Sequence, residues 1–159
     1  MIPHLVPLAG SPWDVLPPGV HATTLAEIES RFAYNPRRRE LFGGLIDASV
    51  SLFGAGCQRV MLDGSYVSSK PVPGDYDACW HPTGMDFGKL DPVFADFDNG
   101  RANQKARFGG EFFPSAMIET DSSRAFIDFF QVDWFTGQQK GILSISISTD
   151  QVVARRIRP

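Results

Sequence analysis

The sequence predicts an α/β (α+β) domain, a small mixed β-sheet with helices mainly on one face. Three observations lead there. Within residues 35–54, Leu41, Leu45, Ile46, Ser49, Leu52 and Phe53 recur at helical spacing, the buried stripe of one long helix. Short apolar runs at residues 59–62, 76–80 and 111–119 stand between Gly, Pro and Asp clusters, the punctuation of strands. A chain of 159 residues, 43% hydrophobic, suits one domain of about 100–200 residues and leaves no room for a second of similar size. With thirteen Phe against three Trp and three Tyr, its core should be rich in phenylalanine.

Taken in order, residues 1–20 contain Pro3, Pro7, Pro12, Pro17 and Pro18, too many for a helix. They are expected to form an extended surface arm pinned by Trp13, Val15 and Leu16. Thr24 and Glu27 make a capping box that opens a short helix to about Phe32. Asn35 caps the next helix, with Pro36 in its first turn, and Gly54 or Gly56 ends it. Arg37, Arg38 and Arg39 read as a solvated face of that helix.

Residues 59–62 then enter Asp63-Gly64-Ser65 as a strand into a tight turn, where Asp63 is expected to stabilise the turn. The strand at 76–80 alternates weakly and rests partly on its position between Pro73-Gly74 and Pro82. Asp91-Pro92 reads as a helix start, with Val93, Phe94 and Phe97 on the apolar side. Gly109-Gly110 introduces the strand at 111–119, in which Pro114 marks a bulge or an exposed edge. Asp121 reads as the cap of a helix that buries Phe126, Phe129 and Phe130 and closes at Thr136-Gly137. Residues 142–147 alternate with serines, as an edge strand or the start of a tail. The domain proper is thus placed at 21–150, and residues 151–159, with Arg155, Arg156 and Arg158, are read as a basic tail.

Charge and composition exclude several functions. Fifteen Lys and Arg against eighteen Asp and Glu, net −3, give no general field for nucleic acid. Cys57 and Cys79 lack the number and spacing of a disulfide framework or a cysteine zinc site. The proline-rich start has no signal-peptide pattern, and no apolar run approaches a membrane span. A cytoplasmic protein without membrane contact is the expectation. His4, His21 and His81 have no paired spacing and read as structural.

The segment at residues 62–80, LDGSYVSSKPVPGDYDACW, carries the chemistry. Asp75 and Asp77 are alternate residues entering a strand, so their side chains project to one face. Two adjacent carboxylates repel unless a cation neutralises them, and hard oxygen ligands suit magnesium. Gly64 lets backbone approach a phosphate, while the Ser65 hydroxyl and the turn amides can hold its oxygens. Lys70, in the loop between, is placed to reach a triphosphate.

This arrangement resembles the nucleotidyltransferase superfamily of polymerase beta, the kanamycin nucleotidyltransferases and the minimal nucleotidyltransferase antitoxins. Its signature is an apolar residue, Gly, Gly or Ser, a gap, and an acid-x-acid pair leading a strand. More narrowly, LPPGVH, RRREL, LDGSYVSSK and PGDYDACW together resemble small bacterial and phage-associated nucleotidyltransferase-like proteins of unassigned function. The resemblance implies a nucleotidyltransferase-like fold and a third carboxylate on a later strand, for which Glu111 is the candidate and Glu119 the competitor. It also makes Lys140 a candidate phosphate contact. The implied activity is Mg2+-dependent transfer of NMP from an NTP, with ATP the expected nucleotide, to an unknown acceptor at a two-metal site of Asp75, Asp77 and Glu111. Because Glu replaces the more usual Asp, the alternative is a weak or inactive fold that acts as an antitoxin-like or regulatory binding partner.

Overall fold

The Thr24 side chain accepts from the Glu27 amide and the Glu27 carboxylate from the Thr24 amide, so the capping box opens helix α1 (Leu25–Phe32) as expected. Asn35 caps α2 (Pro36–Gly54) by accepting from the Arg38 amide. The computed structural model describes residues 1–159. Its remaining elements are strands β1 (Gly19–Thr23), β2 (Val60–Asp63), β3 (Tyr76–Trp80), β4 (Gly110–Pro114), β5 (Ile118–Glu119), β6 (Arg124–Ala125) and β7 (Gly141–Ile145), with helices α3 (Asp98–Phe108), α4 (Phe126–Phe129) and α5 (Gln151–Ile157). Five strands form a mixed sheet in the order β1-β7-β2-β3-β4, and β5 and β6 form a separate hairpin, an α+β fold.

Strand alternation divides the sheet into two unlike faces. Val60, Leu62, Tyr76, Ala78, Phe112, Leu143 and Ile145 point into the main core of 26 buried residues, against α1, α2, α3 and α5. Met61, Cys79, Phe113 and Ile142 point the other way, where Phe126 at the start of α4 and Phe130 just after it complete a hydrophobic cluster of six buried residues. Helices therefore lie mainly on one face, and most of the other is left for the site. The phenylalanines pack at α3 and β4, where Phe94, Phe108 and Phe112 meet at centroid distances of 5.3–5.8 Å. At Gly44 a Cβ would stand 1.8 Å from the Phe108 carbonyl oxygen, so glycine permits α2 to approach the end of α3.

Several elements depart from expectation. Residues 142–147 are no edge or tail: β7 is wholly buried and lies between β1 and β2. Its Ser144 is buried in register with Met61, where an exposed polar position was expected. Residues 151–159 contain a helix, because Asp150 caps it through the Val152 amide, Val153 is buried, and Arg156 pairs with Asp47 of α2 at 2.6 Å. Asp91-Pro92 starts only a 3-10 turn, and the α-helix begins at Asp98. Pro114 ends the edge strand β4, after which the chain turns into β5. Asp121 sits in the β5-β6 turn, and the expected helix shrinks to Phe126–Phe129. The arm folds back on itself through a Val6–Val15 bridge, with Leu16 buried and Trp13 half-buried.

Arg38 is the largest departure. Rather than facing solvent it is fully buried, and its five N–H donors meet five carbonyls, those of Phe32, Tyr66, Ser68, Lys70 and Pro71. The Tyr34 ring, 4.7 Å from the guanidinium, adds a cation-π contact. Asn35 donates to Pro71 and Arg37 to Pro73 and Gly74. The first turn of α2 thus holds the loop between Ser65 and Asp75 by its backbone.

Candidate functional site

Asp77 of β3 is in register with Asp63 of β2 on one side and with Glu111 of β4 on the other. Each lies two residues from Met61, Cys79 or Phe113 on the less covered face, so alternation projects all three carboxylates there as one row. Lys140, just before β7, extends it by pairing with Asp63; the two side chains are only 12% and 8% exposed. At the other end, Glu111 Oε1 accepts from Arg101 Nη2 and Lys105 Nζ, each at 2.9 Å. Asp77 stands beside Glu111 in register and forms no ion pair of its own.

Burial raises the Asp77 carboxyl well above the ordinary range, and the charges of Asp63 and Glu111 raise it further. Asp63 is also raised, mainly by burial, despite the opposing pull of Lys140. Burial would raise Glu111 too, but hydrogen bonds from Lys105 and Arg101 prevail and hold it below its usual value.

Below the raised Asp77 value, the folded protein keeps a proton that the unfolded chain releases above about pH 4, so stability falls as pH rises through that window. Asp77→Asn, which removes the need to bury a charge, is therefore expected to stabilise the protein at pH 7. The gain should vanish near about pH 4, where unfolded aspartate is itself being protonated. Thermal denaturation across pH measures this, and a less stable variant at pH 7 would refute it.

Gly64 turns the chain from β2 into a short 3-10 helix at φ +88°, ψ −175°. A Cβ there would stand 2.8 Å from Asp77 Oδ2, so glycine is required both for the backbone conformation and for room beside the carboxylate. Gly64, Ser65, Asp63, Asp77, Glu111 and Lys140 all line one cavity of about 710 Å³.

Asp75 and Lys70 are placed differently. Asp75 lies within electrostatic reach of Glu111 and Asp77, but it lines a smaller groove of about 450 Å³ with Arg37, Lys105 and Arg107. Lys70 exerts a charge on Asp75 and gives its carbonyl to Arg38, without lining the main cavity. Glu119 sits in the β5-β6 hairpin at the rim, its oxygens accepting from the Asp121 and Ser122 amides; register brings Glu111, not Glu119, to Asp77. Sequence reasoning kept Asp63 for the turn, although its two-residue offset from Met61 already placed it on the site face. Arg101 has no simple signal in the sequence, since it is carried by a left-handed kink at Asn99, Gly100 and Arg101 within the start of α3.

As the side chains stand, no three of the His, Cys, Asp and Glu groups converge to surround a metal ion. The donor chemistry nevertheless suits a hard cation, since Asp77 lies between two other carboxylates without a positive partner. No helix is long and apolar enough to cross a membrane. No curated protein and no solved structure matches the chain. A family model described as a family of unknown function, DUF6932, matches residues 11–146, most of the chain, and the protein belongs to that family.

Proposed function

We propose that the protein is a magnesium-dependent nucleotidyltransferase that moves NMP from an NTP, with ATP the expected substrate, to an acceptor hydroxyl. The observation that carries this reading is the Asp63, Asp77 and Glu111 row beside the Gly64-Ser65 turn on the floor of one cavity. Asp77 and Glu111 would hold the metal, with Asp75 at the neighbouring groove acting on them through its charge. A metal held there would supply positive charge to the acceptor oxygen and to the leaving pyrophosphate. Ser65 and the turn amides orient the phosphate oxygens, Gly64 keeps the turn close to Asp77, and Lys140 offsets negative charge beside them. Arg101 lines the same cavity, with its guanidinium held by Glu111.

Incubation with α-labelled NTPs, magnesium and cell extract should give a labelled product in which label is lost with the Asp75→Ala, Asp77→Ala pair. No label from the unaltered protein would overturn the proposal. One observation favours a second reading, a regulatory partner with an antitoxin-like role: Arg101, Lys105 and Lys140 already neutralise two of the three carboxylates. On that reading a specific bound protein would be retained by the same double variant.

A further inference from the structure

Beyond the carboxylate row, the same face of the sheet continues into an aromatic chamber. Phe113 is stacked between Phe97 and Phe126, at centroid distances of 5.8 and 3.9 Å and interplanar angles of 2° and 8°. The three rings line the cavity together with Glu111, and the Arg101 guanidinium lies 5.5 Å from the Phe113 ring. Single exposed apolar residues need no explanation, but Ile118, Trp134 and Phe135 are 55%, 83% and 59% exposed and all line this one cavity. They come from the 115–137 segment, which adds no strand to the main sheet and roofs its open face instead. The arm closes the remaining side with Ser11 and Trp13. Gln138 Nε2 fastens it by donating to Ala9 at 2.9 Å, and the Ser69 amide donates to Asp14 at 3.0 Å.

The charge of the wall narrows the occupant. Its cations are Arg101, Arg124 and Lys140, of which two are held by Glu111 and Asp63, so no basic track exists for a phosphodiester chain. Outside the row its acids are Glu119 and Asp133, engaged by the Asp121 and Ser122 amides and by Thr136, which leaves little for a polycation. The cavity that the row and the chamber share, about 710 Å³ in all, is of small-molecule size.

Resting on the transferase reading, we infer that the chamber is the acceptor subsite, and that the acceptor is a small neutral molecule with an aromatic or hydrocarbon body and a hydroxyl directed at the carboxylate row. In the transfer, the hydroxyl oxygen bonds to the α-phosphorus while the bond from that phosphorus to the bridging oxygen breaks. Pyrophosphate leaves with the electron pair, and the hydroxyl proton passes through the carboxylate row to solvent.

Calorimetry with 2-naphthol as the probe and inositol as the polar comparator tests this. Naphthol should bind saturably and inositol should not. Trp134→Ala and Phe135→Ala, both at exposed positions, should each weaken naphthol binding about fivefold or more and leave affinity for magnesium with a non-hydrolysable ATP analogue within about twofold. An unchanged melting temperature shows that each variant is folded. Unweakened naphthol binding in both variants overturns the inference, as does an equal loss of nucleotide affinity, which would place the nucleobase in the chamber. Nucleotide binding without naphthol binding would overturn only the acceptor subsite. Naphthol binding without nucleotide binding would overturn the transferase reading and the acceptor role together.

Discussion

Arg38→Ala should cost the fold about 3–5 kcal/mol, the scale of breaking a buried charged network. The variant loses all five guanidinium hydrogen bonds, and the carbonyls of Tyr66, Ser68, Lys70 and Pro71 lose the group that draws them toward α2. Lysine cannot substitute well, because one ammonium has three donors and no planar fork. Arg38→Lys should therefore recover only part of the loss, while the exposed neighbour Arg39→Ala should stay within about 0.5 kcal/mol of the parent. For a chain of this length the alanine variant should melt roughly 10 °C lower. Hydrogen exchange should quicken first in residues 66–71. An Arg38→Ala protein within about 1 kcal/mol of the parent would refute this account.

Gly64→Ala is expected to remove about 2–4 kcal/mol, through two costs that fall on one atom. The backbone at φ +88°, ψ −175° belongs to a region almost confined to glycine, worth about 1–3 kcal/mol for any other residue. The added methyl also meets Asp77 Oδ2 at 2.8 Å and the Asp77 amide nitrogen at 3.2 Å. Gly84→Ala is the control: it shares a positive φ of +78°, but its Cβ meets nothing nearer than Gln58 Nε2 at 3.4 Å. Denaturation should show the larger loss at Gly64, and on the transferase proposal only that variant should lose magnesium-dependent nucleotide binding. Equal losses at the two positions would mean that Asp77 is not constrained by the turn.

The parts of this fold that sequence announces are those whose causes are local. Thr24 with Glu27, and Asn35 with Pro36, set helix starts within three residues of chain, and α1, α2 and β3 begin where these signals and the flanking prolines place them. What sequence hides depends on distant partners. Arg38 is buried because carbonyls some thirty residues later surround it, and nothing in a run of three arginines distinguishes the middle one. Serine at 144 suggests a solvated strand, yet β7 is an interior strand between β1 and β2 and all five of its residues are buried. At the site, alternation could align Asp75 with Asp77, but only the β2-β3-β4 register puts Asp63 and Glu111 beside Asp77. The end of β3 instead leaves Asp75 at the neighbouring groove.

The position of β7 has a consequence for how the protein is made. β1 pairs with no strand but β7, and β2 has one side open until β7 fills it. During synthesis the first strand must wait, unpaired, for about 120 residues of chain before its neighbour at 141–145 leaves the ribosome. Such long-range closure is slow compared with helix formation and leaves strand edges open to wrong partners. Lys140 arrives with the same strand, so Asp63 receives its counter-charge only at the step that closes the sheet. A chain that ended before β7 would carry the Gly64 turn and the carboxylates with Asp63 unpaired and the cavity open on its Lys140 side.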